Sequence, residues 1–215
     1  MTATRDTVLQ AVRAALGGAS RDPQAIAAEA AALLEKPEDI RPRLPPGNVV
    51  ELFAEQVVSP KVSATLDRAA SLGELPEAVR RYLAAHHLLP VVALQPTAEL
   101  QGLDWRGIET RRTMVADEAI GVGLARWGIA ETGSIVFHSG PDTPILFNFL
   151  PLHHVVAVWT SRILAHLEDY VAAAAREPVP RNVNLITGIS GTTDIEGSYV
   201  RGAHGPRFLH VIVVG

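Results

Sequence analysis

The chain has 215 residues, 47% of them hydrophobic and 20% charged, as expected for one globular core with a small appendage. The formal net charge of -4 at pH 7 gives no indication of a basic surface that would bind nucleic acid or an anionic membrane. Cysteine is absent, which excludes disulfides, thiolate zinc sites, cysteine-ligated iron–sulfur clusters and a cysteine nucleophile within the chain. The N-terminal segment does not resemble a secretory signal, and no apolar run approaches the roughly 20 residues of a membrane span. A cytoplasmic protein is therefore expected.

The N-terminal part predicts a helical arm. Apolar residues recur at helical spacing over residues 4–16, and an alanine-rich helix is predicted over residues 23–34. Four prolines between residues 37 and 46 then mark a connector. The sequence therefore predicts an arm and linker over residues 1–47 and a main domain over residues 48–215, and the arm should be dispensable for the fold of that domain.

The main domain alternates predicted helices and strands. Helices are predicted over residues 49–57 with Asn48 as N-cap, 76–86, 117–127 with Asp117 as N-cap, and 160–176. Strands are predicted over residues 62–66, 88–94, 113–116, 134–138, 155–158, 182–186 and 208–214. This alternation indicates an α/β fold with an open, mostly parallel sheet flanked by helices on both faces.

Glu131 is the first candidate site residue. It lies in the segment Ala-Glu-Thr-Gly-Ser, directly before the strand predicted over residues 134–138. A carboxylate there can serve as a general base, a nucleophile or an acceptor for substrate hydroxyls. The alternative is a surface glutamate in a turn closed by Gly133, and the pattern alone favours that interpretation because most charged side chains are solvated.

The glycine-rich loop between the last two predicted strands is the second candidate. Thr193 and Glu196 fit a capping box, which is a sufficient structural reason for both. Ser190, Thr192 and Asp194 have no such explanation. Hydroxyls and free N–H groups at a helix start can hold a phosphate, a carboxylate or an enolate. The loop contains neither the Walker-type nor the dinucleotide-binding glycine pattern.

Histidines form the third group of candidates. His204 lies in a tight turn between glycines, where a general acid or base and a backbone-bonded turn residue are equally plausible. His153 and His154 precede the strand predicted over residues 155–158. One of them could join Asp194 or Glu131 at a metal, but neighbouring strand residues point to opposite faces, so no metal site is predicted.

These candidates are expected to form one site. Each motif follows a strand-like run, and ligands of open α/β sheets bind beyond strand ends. We therefore expect Glu131, Ser190, Thr192, Asp194 and His204 to converge on one concave face. Asp194 is expected to orient His204 and fix its tautomer, as a carboxylate does in a catalytic dyad.

Four motifs in order carry a family resemblance: Ala-Glu-Thr-Gly-Ser at 130–134, Leu-Pro-Leu-His-His at 150–154, Gly-Ile-Ser-Gly-Thr-Thr-Asp-Ile-Glu at 188–196 and Gly-Ala-His-Gly-Pro at 202–206. Together they resemble the lactate-utilisation (LUD) domain family. Two positions depart from its pattern. Ile189 stands where the family usually has proline, and Gly191 stands where it often has a basic or amide residue, so contacts to an anionic ligand are expected to differ here.

The resemblance implies a fold similar to the NagB/RpiA/CoA-transferase-like group and a role in oxidising L-lactate to pyruvate. It implies iron–sulfur subunits as partners that carry the clusters, with no cofactor in this chain. On this interpretation the catalytic residues are Glu131, Asp194 and His204. A small organic anion such as lactate is bound by Thr132, Gly133, Gly188, Ser190, Thr192, Thr193 and Gly205.

Two alternatives stay open. The chain could be a non-catalytic scaffold that docks iron–sulfur subunits, or a CoA-transferase-like acyl transfer enzyme with Glu131 as nucleophile. A homo-oligomer is compatible with the sequence.

Overall fold

The computed structural model describes residues 2–16, 22–36, 41–116, 118–193 and 197–215. The chain forms two units, Met1–Arg41 and Pro42–Gly215. The first unit contains both helices that the sequence predicts there, α1 (Thr2–Leu16) and α2 (Pro23–Leu34). The second unit contains every candidate site residue of the sequence.

The second unit alternates helices and strands. Among the described residues its helices, α3 to α6, are Val49–Val57, Leu75–Ala85, Ala98–Gln101 and Leu167–Ala174. The strands described in this unit, β1 to β12, are Thr65–Ala69, Val91–Leu94, Glu109–Arg111, Ile120–Leu124, Trp127–Ile129, Ser134–His138, His153–Trp159, Ile163–Leu164, Val183–Ile186, Gly191–Thr192, Val200–Arg201 and Phe208–Val214. Asn48 caps α3 as predicted, because its side-chain oxygen accepts the N–H of Val50 at 2.8 Å.

Six strands form the main sheet in the order β1-β12-β7-β4-β2-β3. Every neighbouring pair in it is parallel, which confirms the predicted open α/β sheet. β7 and β12 are neighbouring interior strands that pair over seven positions, from Phe208 opposite His153 to Val214 opposite Trp159. Both strands are almost wholly buried, as expected for strands covered on two faces.

Different layers cover the two faces of the main sheet. On one face, Val79 and Leu83 of α4 and Leu100 of α5 pack in a core cluster that includes Val155 of β7. On the other face, α3 and a second, four-stranded sheet of order β8-β5-β6-β9 form a cluster with the next residue of β7, Val156. The second face is thus covered by a small sheet together with a helix.

The helix predicted over residues 117–127 is wrong, since Ile120–Leu124 is the central strand β4; its predicted N-cap, Asp117, lies outside the described residues. The reason is tertiary. Gly121 and Gly123 let the neighbouring layers approach closely: a Cβ added at Gly121 would lie 2.9 Å from Cγ of Pro151, and one at Gly123 would lie 3.4 Å from the ring of Phe137. Burial on both faces decides such a segment over local propensity.

The long helix predicted over residues 160–176 is also wrong in its first half. A 3-10 turn at Thr160–Arg162 leads into β8, which pairs with β5, and α6 begins only at Leu167. The strand predicted over residues 113–116 is not formed; β3 lies earlier, at Glu109–Arg111. The short strand β5 was not predicted.

Candidate functional site

Glu131 lies in the turn between β5 and β6, with its side chain only 8% exposed. Its Oε1 accepts the N–H of Leu167 at 2.8 Å, at the start of α6, and its Oε2 lies 2.9 Å from Nδ1 of His166. Because a carboxylate only accepts hydrogen bonds, Nδ1 of His166 is the donor.

The Glu131–His166 pair is a carboxylate–imidazole dyad. A carboxylate on Nδ1 fixes the tautomer and leaves Nε2 as a base, which is the arrangement of many general bases. The backbone N–H of His166 donates to Oδ2 of Asp169 at 3.0 Å, which holds the residue at the helix start. The pair also has a purely structural effect, because it anchors the turn to the N-terminus of α6.

A chain of hydroxyl groups joins this turn to the end of β9. Thr132 Oγ1 and Ser134 Oγ are 2.7 Å apart, and Ser134 Oγ and Thr187 Oγ1 are 2.5 Å apart. Between the first two residues, Gly133 has a φ of +68°, and a Cβ there would lie 3.1 Å from the side chain of Gln56. The turn and the end of β9 therefore lie at one edge of the small sheet.

The glycine-rich loop begins at this edge. Gly188 has a φ of +87°, and a Cβ there would overlap the carbonyl oxygen of Val62, so only glycine fits. Ser190 donates its N–H to Pro206 O at 2.9 Å and accepts from the N–H of Gly202 at 2.9 Å. The loop 188–193 and the turn 202–206 are thereby held together.

The described part of this loop forms a ribbon. β10 and β11 pair antiparallel, with Gly191 opposite Arg201 and Thr192 opposite Val200. The sequence predicts a helix that starts after Thr193, at residues 194–196. These three residues, including the predicted catalytic residue Asp194, lie outside the described residues.

Some of the predicted site residues lie close to one another in the structure, in two groups. Thr132 and Gly133 lie beside the start of the glycine-rich loop, and Ser190 lies against Gly205, whose Cβ would be 3.4 Å from that of Ser190. The hydrogen bonds of Glu131 within the described residues go to Ala165, His166 and Leu167. His204 is exposed in the turn before β12.

Sequence reasoning missed His166. The local pattern contains one signal for its position, an acidic residue three places later that is typical of a helix start. Its partner Glu131 is 35 residues away in the sequence, and no local residue pattern predicts a contact over that separation.

The two histidines of β7 point to opposite faces, as expected. Nδ1 of His153 lies 2.9 Å from the hydroxyl of Tyr82, and its ring stacks on Phe208 with centroids 4.4 Å apart. His154 stacks on Phe137 at 5.7 Å, and neither of its nitrogens has a hydrogen-bond partner in the described structure. The described ranges contain no group of three or more His, Cys, Asp or Glu side chains arranged to hold a metal.

Burial perturbs these histidines strongly. It lowers the pKa of His154 to about 3. Burial, with a smaller contribution from the charge of His86, lowers the pKa of His153 to about 4. The pKa of His210 on β12 is lowered to about 4, again mainly by burial. All three rings are therefore neutral at pH 7 and act as packing residues of the folded state.

The fold and the site together define an open α/β protein with a parallel main sheet and a glycine-rich loop at the edge of a smaller sheet. The LUD domain family matches residues 47–214, and the chain belongs to this family. None of the helices in the described ranges has both the length and the apolar character needed to cross a bilayer.

Named relatives include "Lactate utilization protein C" of Anoxybacillus flavithermus, which is 30% identical over 155 residues, or 66% of this chain and 70% of that protein. The protein of the same name from Geobacillus kaustophilus is 30% identical over 165 residues, or 66% of this chain and 69% of that protein. A crystal structure of a DUF162 family protein from Deinococcus radiodurans covers 80% of this chain and 100% of its own, with a TM-score of 0.56 and 21% identity. That likeness supports the fold.

Proposed function

We propose that this chain takes part in lactate utilization, as a component of the oxidation of L-lactate to pyruvate. The observation that carries the proposal is membership of the LUD family together with relatives named lactate utilization protein C. Oxidation of lactate releases two electrons, and the 215 residues contain no cysteine to ligate an iron–sulfur cluster. We propose that the electrons pass to partner subunits that carry such clusters.

The edge of the small sheet is the proposed binding place for lactate or another small organic anion. The hydroxyl groups of Thr132, Ser134 and Thr187 meet there, where the glycine-rich loop begins at Gly188. Such groups suit a carboxylate. Beside this edge, Nε2 of His166 is oriented by Glu131 to accept the proton of the substrate hydroxyl.

His204 and Asp194 stay candidates for a second proton-transfer pair. Ser190 holds the turn that carries His204, through its hydrogen bonds to Gly202 and Pro206.

The geometry disfavours the acyl-transfer alternative. Both oxygens of Glu131 accept hydrogen bonds, whereas a carboxylate nucleophile needs an oxygen that is free to attack the substrate. The scaffold alternative predicts that the chain is needed but that the dyad is not. An experiment on the dyad therefore separates the two.

The test is growth on L-lactate as sole carbon source, in a strain of the encoding organism that lacks this gene. Wild-type chain should restore growth, and His166→Gln and Glu131→Gln should fail although the proteins accumulate and unfold cooperatively. Glu55→Gln, at an exposed position of α3, is the matched control and should restore growth. Growth of the deletion strain would overturn the lactate role, and full growth with both dyad variants would favour the scaffold.

A further inference from the structure

A cavity lies away from the predicted site residues. Its volume is about 720 Å³, and it lies beyond the carboxyl ends of β2, β4 and β7. Its lining includes Thr97 after β2, Leu124 and Arg126 at the end of β4, and Trp159 at the end of β7. None of the predicted site residues lines it.

The topology gives a reason for a crevice at this place. In the strand order, β3 lies beyond β2 on one side and β7 lies beyond β4 on the other. The chain therefore leaves the carboxyl ends of the adjacent strands β2 and β4 in opposite directions. Where connections diverge in this way, a crevice opens at the sheet edge, and open α/β proteins bind their ligands there.

The walls of the cavity are held in place by specific contacts. The guanidinium of Arg126 binds Glu177, with Nε 2.7 Å and Nη2 2.5 Å from Oε2. Ser139 and Asn182 are joined by two hydrogen bonds of 2.9 Å, one to the backbone carbonyl of Asn182 and one from its N–H to the hydroxyl of Ser139. These contacts tie the segment after β6 and the segment after α6 into one preformed rim.

The cavity combines apolar walls with unpaired arginines. Its apolar lining comes from Leu124, Phe137, Trp159, Pro178, Val179 and Pro180. Arg162 and Arg181 are exposed on the rim, and neither has a carboxylate partner among the described residues. The guanidinium of Arg162 lies 5.8 Å from the ring centroid of Trp127, which holds it in place. Guanidinium groups that are free of carboxylate partners suit phosphate oxygens.

Two carboxylates, Glu99 and Asp142, also line the rim. They would repel a plain anion, but they can accept hydrogen bonds from sugar hydroxyls, as acidic residues do for a ribose in other α/β proteins. A volume of about 720 Å³ is in the range of a drug-sized ligand and exceeds the need of a three-carbon acid. The ligand should thus carry phosphate, hydroxyl groups and a flat apolar ring.

We propose that this cavity binds a ribonucleotide, with its phosphates on Arg162 and Arg181, its ribose hydroxyls toward Glu99 or Asp142, and its base against the apolar wall. The site is separate from the proposed lactate site and does not depend on it.

The test is calorimetric titration of the full chain with ADP as probe, alongside 2′-deoxy-ADP, adenosine and pyrophosphate. ADP should bind saturably at one site, and each of the other three compounds should bind roughly tenfold more weakly or worse. The deoxynucleotide lacks the 2′-hydroxyl, adenosine lacks the phosphates, and pyrophosphate lacks both ribose and base. Arg162→Gln and Arg181→Gln should each weaken ADP binding by roughly tenfold or more. Arg112→Gln, an exposed arginine outside the cavity, should have no effect.

Absence of saturable ADP binding would overturn the proposal, as would ADP binding that survives Arg162→Gln and Arg181→Gln. Pyrophosphate or adenosine binding as tightly as ADP would also overturn it, since the cavity would then recognise only one end of the ligand. Both arginines are exposed, so the variants should fold; thermal unfolding of each checks this.

Discussion

Mild acid should destabilise this protein strongly, well above the pH at which carboxylates titrate. The cause is the group of buried histidines His153, His154 and His210, whose pKa values in the folded state are lowered to about 4, 3 and 4. In the unfolded chain a histidine has a pKa of about 6.5. Between these values only the unfolded state takes up protons, so the free energy of unfolding falls as the pH falls.

The size of the effect follows from the shifts. Lowering the pH from 7 to 5 moves each unfolded histidine about 1.5 units below its pKa, which is worth about 2 kcal/mol per residue. The three together give about 6 kcal/mol, comparable with the whole stability of an ordinary domain, about 5–15 kcal/mol. His138 adds in the same direction, because burial and the charge of Arg126 lower its pKa as well.

The assay is urea unfolding at pH 7, 6 and 5, followed by circular dichroism. His154→Leu removes a ring whose nitrogens have no partner, and should reduce the loss between pH 7 and pH 5 by about 2 kcal/mol. His87→Asn, at an exposed position with a φ of +54°, is the control and should leave the loss unchanged. A free energy of unfolding that is flat from pH 7 to pH 5 would refute the reasoning.

Three further predictions concern backbone, domain and site. Gly188→Ala should lower the free energy of unfolding by about 3 kcal/mol or more in chemical denaturation, because the new Cβ overlaps a carbonyl and φ is positive. Gly107→Ala is the control: its φ is +81° but the space around it is open, so the loss should be about 1 kcal/mol. Equal losses would contradict this. Deleting residues 1–41 should leave a single cooperative thermal transition in the remainder; the deletion stops there because Leu44 of the linker packs against the core. A molten product would show that the arm belongs to the core. Asp194→Asn and His204→Gln should each reduce lactate-dependent activity, and the double variant should lose no more than either one; losses that add would show that the two residues act separately.

Segments with a strong local pattern were predictable from the sequence. The run Phe208–Val214, rich in β-branched residues, is a strand in the structure at the predicted bounds, and α3 begins at its predicted cap, Asn48. Both depend on neighbours in sequence. The strand Ile120–Leu124 was not predictable in this way. Its two glycines are needed because neighbouring layers pack closely on both faces, and the sequence alone does not show those layers.

The candidate site was predictable in outline only. The order of the motifs pointed to the turn at Glu131 and to the glycine-rich loop, and the hydroxyl of Ser134 meets that of Thr187 between them. The partner of Glu131 was not predictable, because His166 reaches it through the pairing of β8 with β5. The cavity at the carboxyl ends of β2, β4 and β7 is formed by segments that are distant in sequence, and only the strand order brings them together.

The central proposal is that this chain, which has no cysteine to ligate a cluster, is required for L-lactate to deliver electrons to iron–sulfur partners. The most direct measurement is L-lactate-dependent dye reduction, with pyruvate assayed in parallel, in an extract of the deletion strain to which purified chain is added back. The account predicts no pyruvate without the chain and a rate that rises with added chain until it saturates. Pyruvate formation at the wild-type rate without the chain, or none after its addition, would contradict it.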